Sequence, residues 1–187
     1  MTDDAAHRFR EFLVRVGIDL DGDPEMARTP ERVTELYGEL FSGLRSDPPE
    51  LSVFTLPSEE VHGAVFLTAL PFYSMCVHHL LPFFGAVDVA YLPGNRMVGF
   101  SSIGAVVDHF ARRPQVQERM IVQIADYIDE ALEPQALLVR LRARQLCMEM
   151  RGCQKTGELI SLAQRGDLKP QTRSEFLTAF QRAERPL

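Results

Sequence analysis

The sequence predicts an α+β chain in which a small helical lobe precedes an antiparallel sheet. Three observations carry that expectation. Apolar residues recur at helical spacing up to about residue 44. From residue 63 the pattern changes to runs rich in β-branched and aromatic residues. The strands then come in adjacent pairs around two helices, in the order β-β-α-α-β-β-α, which favours antiparallel pairing.

Residues 5–18 (AAHRFREFLVRVGI) hold helical periodicity. In RTPERVTELYGELFSGL, Thr29 is a natural N-cap and Pro30 sits at the first helical position. Val33, Leu36, Tyr37, Leu40 and Phe41 form its apolar stripe, and Gly43 ends it. SDPPELSVFTLPSEE is rich in Pro and Ser and reads as a connection. The expected domains are therefore a helical lobe over 1–50 and a second domain over 51–187. Strands are expected in GAVFLTALPFYSMC and FFGAVDVAYLP, with a turn at LPGN. SSIGAVVDHFARR and QVQERMIVQIADYIDEAL read as helices, Pro114 opening the second. ALLVRLRARQLCMEMRG reads as one long alternating strand and TGELISLAQRG as a shorter one. PQTRSEFLTAFQRA closes the chain as a helix with Thr172 or Ser174 near its start.

The 187 residues carry a formal charge of −6. No basic run offers itself to phosphates, so nucleic acid is not the expected partner. No apolar stretch reaches the roughly 18 residues that span a bilayer, and MTDDAAHRFREF has no apolar signal region. A cytoplasmic location is the expectation. Three cysteines, Cys76, Cys147 and Cys153, suit a reducing compartment. Any one of them alone reads most simply as a small buried hydrophobe.

The chemistry concentrates in FYSMCVHHLLPFFG. Cys76 and His79 are three apart, and a turn at a strand end lets such a pair bite one ion. Along residues 137–151 side chains alternate faces. The face carrying Leu137, Val139 and Leu141 becomes polar toward its end, at Gln145, Cys147, Glu149 and Arg151. Cys147 could supply a third ligand. Two sulfurs and one imidazole leave a fourth tetrahedral position for water, the pattern of catalytic zinc. Bound zinc brings the pKa of water to about 7, and His78 beside it could act as general acid or base. Spacing alone leaves a purely structural role open. His7, His62 and His109 have no partner that the sequence identifies, and surface or satisfied core positions are expected for them.

Seven ordered blocks between about residues 26 and 182 resemble the GTP cyclohydrolase I family: TPERV, FSGL, C-x-H-H at 76–79, YLP, RRPQVQERM, C-x-x-x-RG at 147–152 and TRSEFL. The resemblance implies a tunnelling fold, a four-stranded antiparallel sheet with two helices inserted between strands 2 and 3. It implies assembly into a barrel, a homo-oligomer expected to be a decamer of two pentamers with active sites at subunit interfaces. It implies Zn2+ held by Cys76, His79 and Cys147, and a purine substrate whose imidazole ring is opened by hydrolysis at C8. Gln117 and Glu118 match the pair that recognises guanine. A carboxylate suits that task, because guanine offers an N–H and an amino group as neighbouring donors. Arg32, Ser101 and Arg151 match triphosphate contacts.

Several positions depart from the family pattern. A catalytic His is replaced by Gln145, which can hydrogen-bond but cannot shuttle a proton, and an acidic residue is replaced by Val77. Around the triphosphate, Lys becomes Glu35, Lys becomes Ser102 and Arg becomes Ala105, a swing of four charge units. Each charge-assisted contact contributes about 1.5–3 kcal/mol. The departures point to a purine carrying fewer phosphates than GTP. Compensation by Arg112, Arg113 and Lys155 would instead leave GTP as the substrate. A non-catalytic purine- or pterin-binding paralogue, and another tunnelling-fold activity such as nitrile reduction with Cys153 as nucleophile, are the further alternatives.

Overall fold

Gly17 decides where the first helix stops. In the computed structural model, which describes residues 2–55, 57 and 63–183, helix α1 spans Thr2–Arg15. Gly17 takes φ +90°. Its N–H donates to Val14 O and the Ile18 N–H to Leu13 O, both at 3.0 Å, the crossed pair that closes a helix on a left-handed glycine. The helix thus ends short of residue 18. Helix α2 spans Thr29–Leu40 with Arg28 at the N-cap and no side-chain cap. Thr29 is inside the helix because Pro30 takes the second position. The chain forms two compact units, Met1–Ser42 and Gly43–Leu187. Residues 56 and 58–60 of the expected connection, together with residue 61 and His62, lie outside the described residues.

The second unit contains strands β1 (Val53–Thr55), β2 (Val65–Cys76), β3 (Pro82–Leu92), β4 (Arg96–Val98), β5 (Pro114–Gln115), β6 (Ala136–Gln145) and β7 (Glu158–Gly166). Its helices are α3 (Phe100–Ala111), α4 (Gln117–Leu132), the single turn α5 (Leu146–Glu149) and α6 (Pro170–Arg182). The main sheet has the order β5-β2-β3-β6-β7, and β1 pairs with β4 in a separate ribbon. The long strands β2, β3, β6 and β7 are antiparallel, with α3 and α4 between β3 and β6. The α+β reading holds. The added strands are β1, inside the expected connection, β4, which pairs with it, and β5, which pairs in parallel with Met75 and Cys76. Helix α4 accordingly starts at Gln117, not at Pro114. Helix α6 starts at Pro170 with Lys169 at its N-cap and no side-chain cap, and Thr172 lies in its first turn, near the start as expected.

One sheet face is covered by α3 and α4. Val87, Val139 and Leu141 meet Ile103, Ile124 and Ile128 in a core where all six are fully buried. Burying such a side chain stabilises by about 1.5–3 kcal/mol. The other face is covered at one end by α6, whose Phe176 and Phe180 pack on Ala90 and Leu138. Gly85 permits the closest approach inside the sheet, because a Cβ there would collide with the Arg142 carbonyl and Ala143.

Asp88 ties four elements together. Its Oδ2 accepts from Arg140 Nε at 2.9 Å, and Arg140 Nη2 donates to Phe180 O at 2.9 Å. Its Oδ1 accepts from the Ala69 N–H at 2.8 Å. Ala69 lies in the bulge between Leu67 and Leu70 at φ +59°, a conformation costing an L-residue about 1–2 kcal/mol. The Asp88 hydrogen bond offsets part of that cost.

At the opposite edge, β7 is the sheet margin and exposes Leu159, Ile160 and Leu162. No helix among the described residues is long and apolar enough to cross a membrane.

Candidate metal centre

The C-x-x-H pair sits on one tight turn. β2 ends at Cys76. Leu80 N–H donates to Cys76 O at 2.8 Å, and Cys76 N–H donates to Leu81 O at 2.9 Å. Leu80 adopts φ +51°, which turns the chain into β3. Residues three apart on such a turn project to one side, so Cys76 and His79 converge. β5 backs the turn, with Val77 N–H donating to Gln115 O at 2.9 Å.

Cys147 arrives by a route that strand alternation does not describe. β6 leaves the ladder at Gln145, and the chain makes the helical turn α5. Cys147 lies on that turn, so the parity argument over 145–151 fails, although it singled out the same residue. The ligand atoms of Cys76, His79 and Cys147 all lie within 4.8 Å of one another, close to the span that one ion with bonds of about 2.0–2.3 Å bridges. Burial foremost, then the hydrogen bond and charge of the neighbouring Cys76, push the Cys147 thiol up from its ordinary range. Two thiolates this close repel unless a cation lies between them. The donor set fits zinc: two soft sulfurs and an imidazole from a preformed turn and a neighbouring helical turn.

A cavity of about 220 Å³ opens beside the cluster, and its lining includes Cys76, His78, Glu118, Gln145, Cys147 and Met148. His78, not His79, faces this cavity, with its Nδ1 3.7 Å from Cys76 Sγ. The adjacent histidines are thus divided between cluster and cavity. Glu118 is exposed in the first turn of α4.

Gln117 is buried and its polar atoms are committed. Its Nε2 donates to Leu159 O at 2.9 Å, Ser161 Oγ at 3.1 Å and Leu141 O at 3.3 Å. Carbonyls only accept, so these contacts fix the orientation of the amide. Gln117 Oε1 must therefore accept, and Gln145 Nε2 donates to it at 2.8 Å. Gln145 is left with its carbonyl oxygen as the uncommitted end. The structure brings Gln145 and Gln117 together and ties Gln117 to β6 and β7.

The residues matched to a triphosphate are more dispersed. Arg151 is exposed; its Nε donates to Cys147 O at 3.3 Å, and its guanidinium lies 2.7 Å from His79 Nε2. Ser101 is exposed at the start of α3, whereas Ser102 is buried and its Oγ accepts from Ser52 N–H at 3.1 Å. Arg32 and Glu35 are both exposed on α2 in the first unit. Arg113 donates to Gly43 O at 2.8 Å and contacts buried His109. His7 pairs with Glu11. Cys153 is exposed and donates to Met148 O.

Sequence reasoning missed Gln115, Val116, Met148 and Leu159 in the cavity wall. It also missed the pairing of Arg144 with Glu149, where the Arg144 hydrogen bond holds the Glu149 carboxyl below its usual range. Opposite charges flanking Cys147 were the available signal.

The family model for GTP cyclohydrolase I matches residues 5–181. The chain belongs to the GTP cyclohydrolase I family. Among relatives named GTP cyclohydrolase 1, that of Dehalococcoides mccartyi is 43% identical over 178 residues, 92% of this chain and 93% of its own. That of Geobacillus kaustophilus is 44% identical over 162 residues, covering 83% and 86%. That of Streptococcus thermophilus is 48% identical over 131 residues, 69% of each chain. A solved structure, archaeosine synthase QueF-Like in the apo form, is 18% identical with a TM-score of 0.43 over 58% of this chain and 95% of that one.

Proposed function

We propose that this GTP cyclohydrolase I family member is a zinc-dependent hydrolase that opens the imidazole ring of a guanine-type purine at C8, on a substrate with fewer phosphates than GTP. The observation that carries the reading is the cluster of Cys76, His79 and Cys147 at a cavity lined by His78, Glu118 and Gln145. Zinc held by the three ligands supplies Lewis acidity and brings the pKa of water to about 7.

The chain's own residues divide the remaining work. Glu118 accepts from the N–H and amino donors of the guanine edge. His78 exchanges a proton with a ring nitrogen as the C8–N9 bond breaks, the oxygen of water ending on C8 and a proton on N9. Gln145 turns its carbonyl oxygen toward the ligand and carries no proton. Gln117 acts on Gln145 and on the strands behind it, with no side-chain donor left for guanine. Arg32, Ser101 and Arg151 remain as phosphate contacts.

Two facts support a poorly phosphorylated substrate. Ser102, at a position expected to carry a cation, is turned to Ser52. Arg113, a candidate for compensation, is engaged by Gly43 and His109. The shared name of the relatives favours GTP itself as the second reading. Incubating zinc-loaded protein with guanine, guanosine, GMP and GTP decides, with formate release and loss of purine absorbance followed separately. The expected result is faster turnover of GMP or guanosine than of GTP. GTP as the clearly best substrate rejects the altered-substrate reading. About one zinc per chain with no turnover of any purine supports a binding paralogue instead.

The same reading places residues 1–50 as an accessory helical lobe and 51–187 as the catalytic domain. It makes the working unit a homo-oligomer, a decamer of two pentamers with sites at subunit interfaces. The three free cysteines suit the reducing cytoplasm.

A further inference from the structure

The turn that presents Cys147 has little of its own to hold it. α5 is four residues long, with no side-chain cap at Gln145, and an isolated helical turn is unstable. Its C-terminal end closes through a backbone hydrogen bond at 3.0 Å, from Met150 N–H to Leu146 O, and Lys155 N–H reaches back to Met148 O at 3.3 Å. Yet the metal cluster needs Cys147 at a set distance from Cys76.

A row of side chains bridges that gap on the sheet face away from α3 and α4. Tyr73, Phe84 and Arg144 are direct partners across β2, β3 and β6. Tyr73 stacks on Phe84 at 5.8 Å and 27°. The Arg144 guanidinium lies over the Phe84 ring at 5.7 Å. From there Arg144 reaches the turn: its Nε donates to Glu149 Oε1 at 3.0 Å and its Nη2 to Oε2 at 2.5 Å. The Glu149 side chain is only 8% exposed. Such a fork leaves far less play than an exposed point contact. The row begins three residues before Cys76 and ends two residues after Cys147.

We propose that Arg144 and Glu149 are positioning residues for the metal, a brace that holds the Cys147 turn at the distance from which both thiolates grip one ion. The inference rests on the metal-centre reading above. It assigns a role to two side chains that touch neither the ion nor the cavity.

The test measures metal binding without turnover. Zinc affinity is taken from competition with a chromophoric chelator, and cobalt-substituted protein reports thiolate ligation through its charge-transfer absorption. The variants are Glu149→Gln, Arg144→Lys and the swap Arg144→Glu/Glu149→Arg. Arg144→Lys keeps the charge and loses the fork. Expected is a loss of about 10–100-fold in zinc affinity for both single variants, the range found for outer residues that orient ligands. The charge-transfer band should weaken while far-UV circular dichroism stays as in the parent, and the swap should recover part of the affinity. Zinc affinity within twofold of the parent in both single variants overturns the proposal, whether or not the urea midpoint falls. A parent chain that takes up no metal overturns the metal-centre reading as well, so the two failures are distinguishable.

Discussion

The two ends of β6 are built on different terms. From Ala136 to Leu141 every residue is buried and paired on both sides, and the one charge, Arg140, is closed off by Asp88 and the end of α6. From Arg144 onward the strand gives way to a half-buried turn that carries Cys147 and leaves Gln145 an uncommitted oxygen. The first end is a frame whose polar groups are satisfied within the fold. The second keeps sulfur and amide groups available to something outside it. One strand thus couples a stiff anchor to a reactive tip, and damage at the two ends should have separable consequences.

The largest separation is expected at the tip. Cys147→Ser should reduce bound metal from about one ion per chain to a small fraction, a loss beyond the roughly 100-fold of an outer residue. Elemental analysis checks it, and the urea midpoint of the metal-free protein should barely move. Metal content equal to the parent's breaks the comparison.

At the anchor the effect should be on stability. Asp88→Ala removes the carboxylate that balances the buried Arg140 charge, while its bond to Phe180 O stays, and should cost about 3–5 kcal/mol in urea unfolding. Replacing both members, Asp88→Leu with Arg140→Met, should recover much of that loss. Zinc affinity of the folded fraction should match the parent in either case.

Gln117 lies between the two regimes. Gln117→Leu removes the donor to Leu159 O and Ser161 Oγ and should cost about 1–3 kcal/mol. It also frees the Gln145 amide to rotate. Ligand affinity should therefore fall further in Gln117→Leu than in Gln117→Glu, which keeps an oxygen for Gln145 to donate to. Equal losses in calorimetry would show that Gln145 orientation does not matter.

The smallest effect concerns acid. Burial first, and the Arg113 guanidinium second, hold His109 below its ordinary value of 6.5. It is neutral in the fold, so the unfolded chain binds the extra proton once the pH drops below about 6.5. Its contribution is intact above that value and declines as the pH falls toward the folded pKa. His109→Gln should flatten the decline in urea midpoint between pH 7.5 and 5.

Local features were the legible ones. Cys76 and His79 could be paired from the sequence because a single turn brings them together. Periodicity located the long helices and strands because each buries one continuous face. Cys147 was singled out through an alternation that stops two residues before it, since nothing local marks where a strand yields to a helical turn. Partners distant in sequence stayed hidden. Gln145 donates to a residue 28 positions away at the start of α4, and Arg140 to one 52 away across the β3–β6 register, and only tertiary packing creates those meetings. Ser102 illustrates the converse: a polar residue at an expected ligand position faces the backbone of Ser52.

The β7 margin has a practical side. A nine-residue outer strand with apolar side chains in the open offers a ready template for another chain's backbone. Copies of this protein should therefore tend to join along that border in the test tube, the more so as concentration rises.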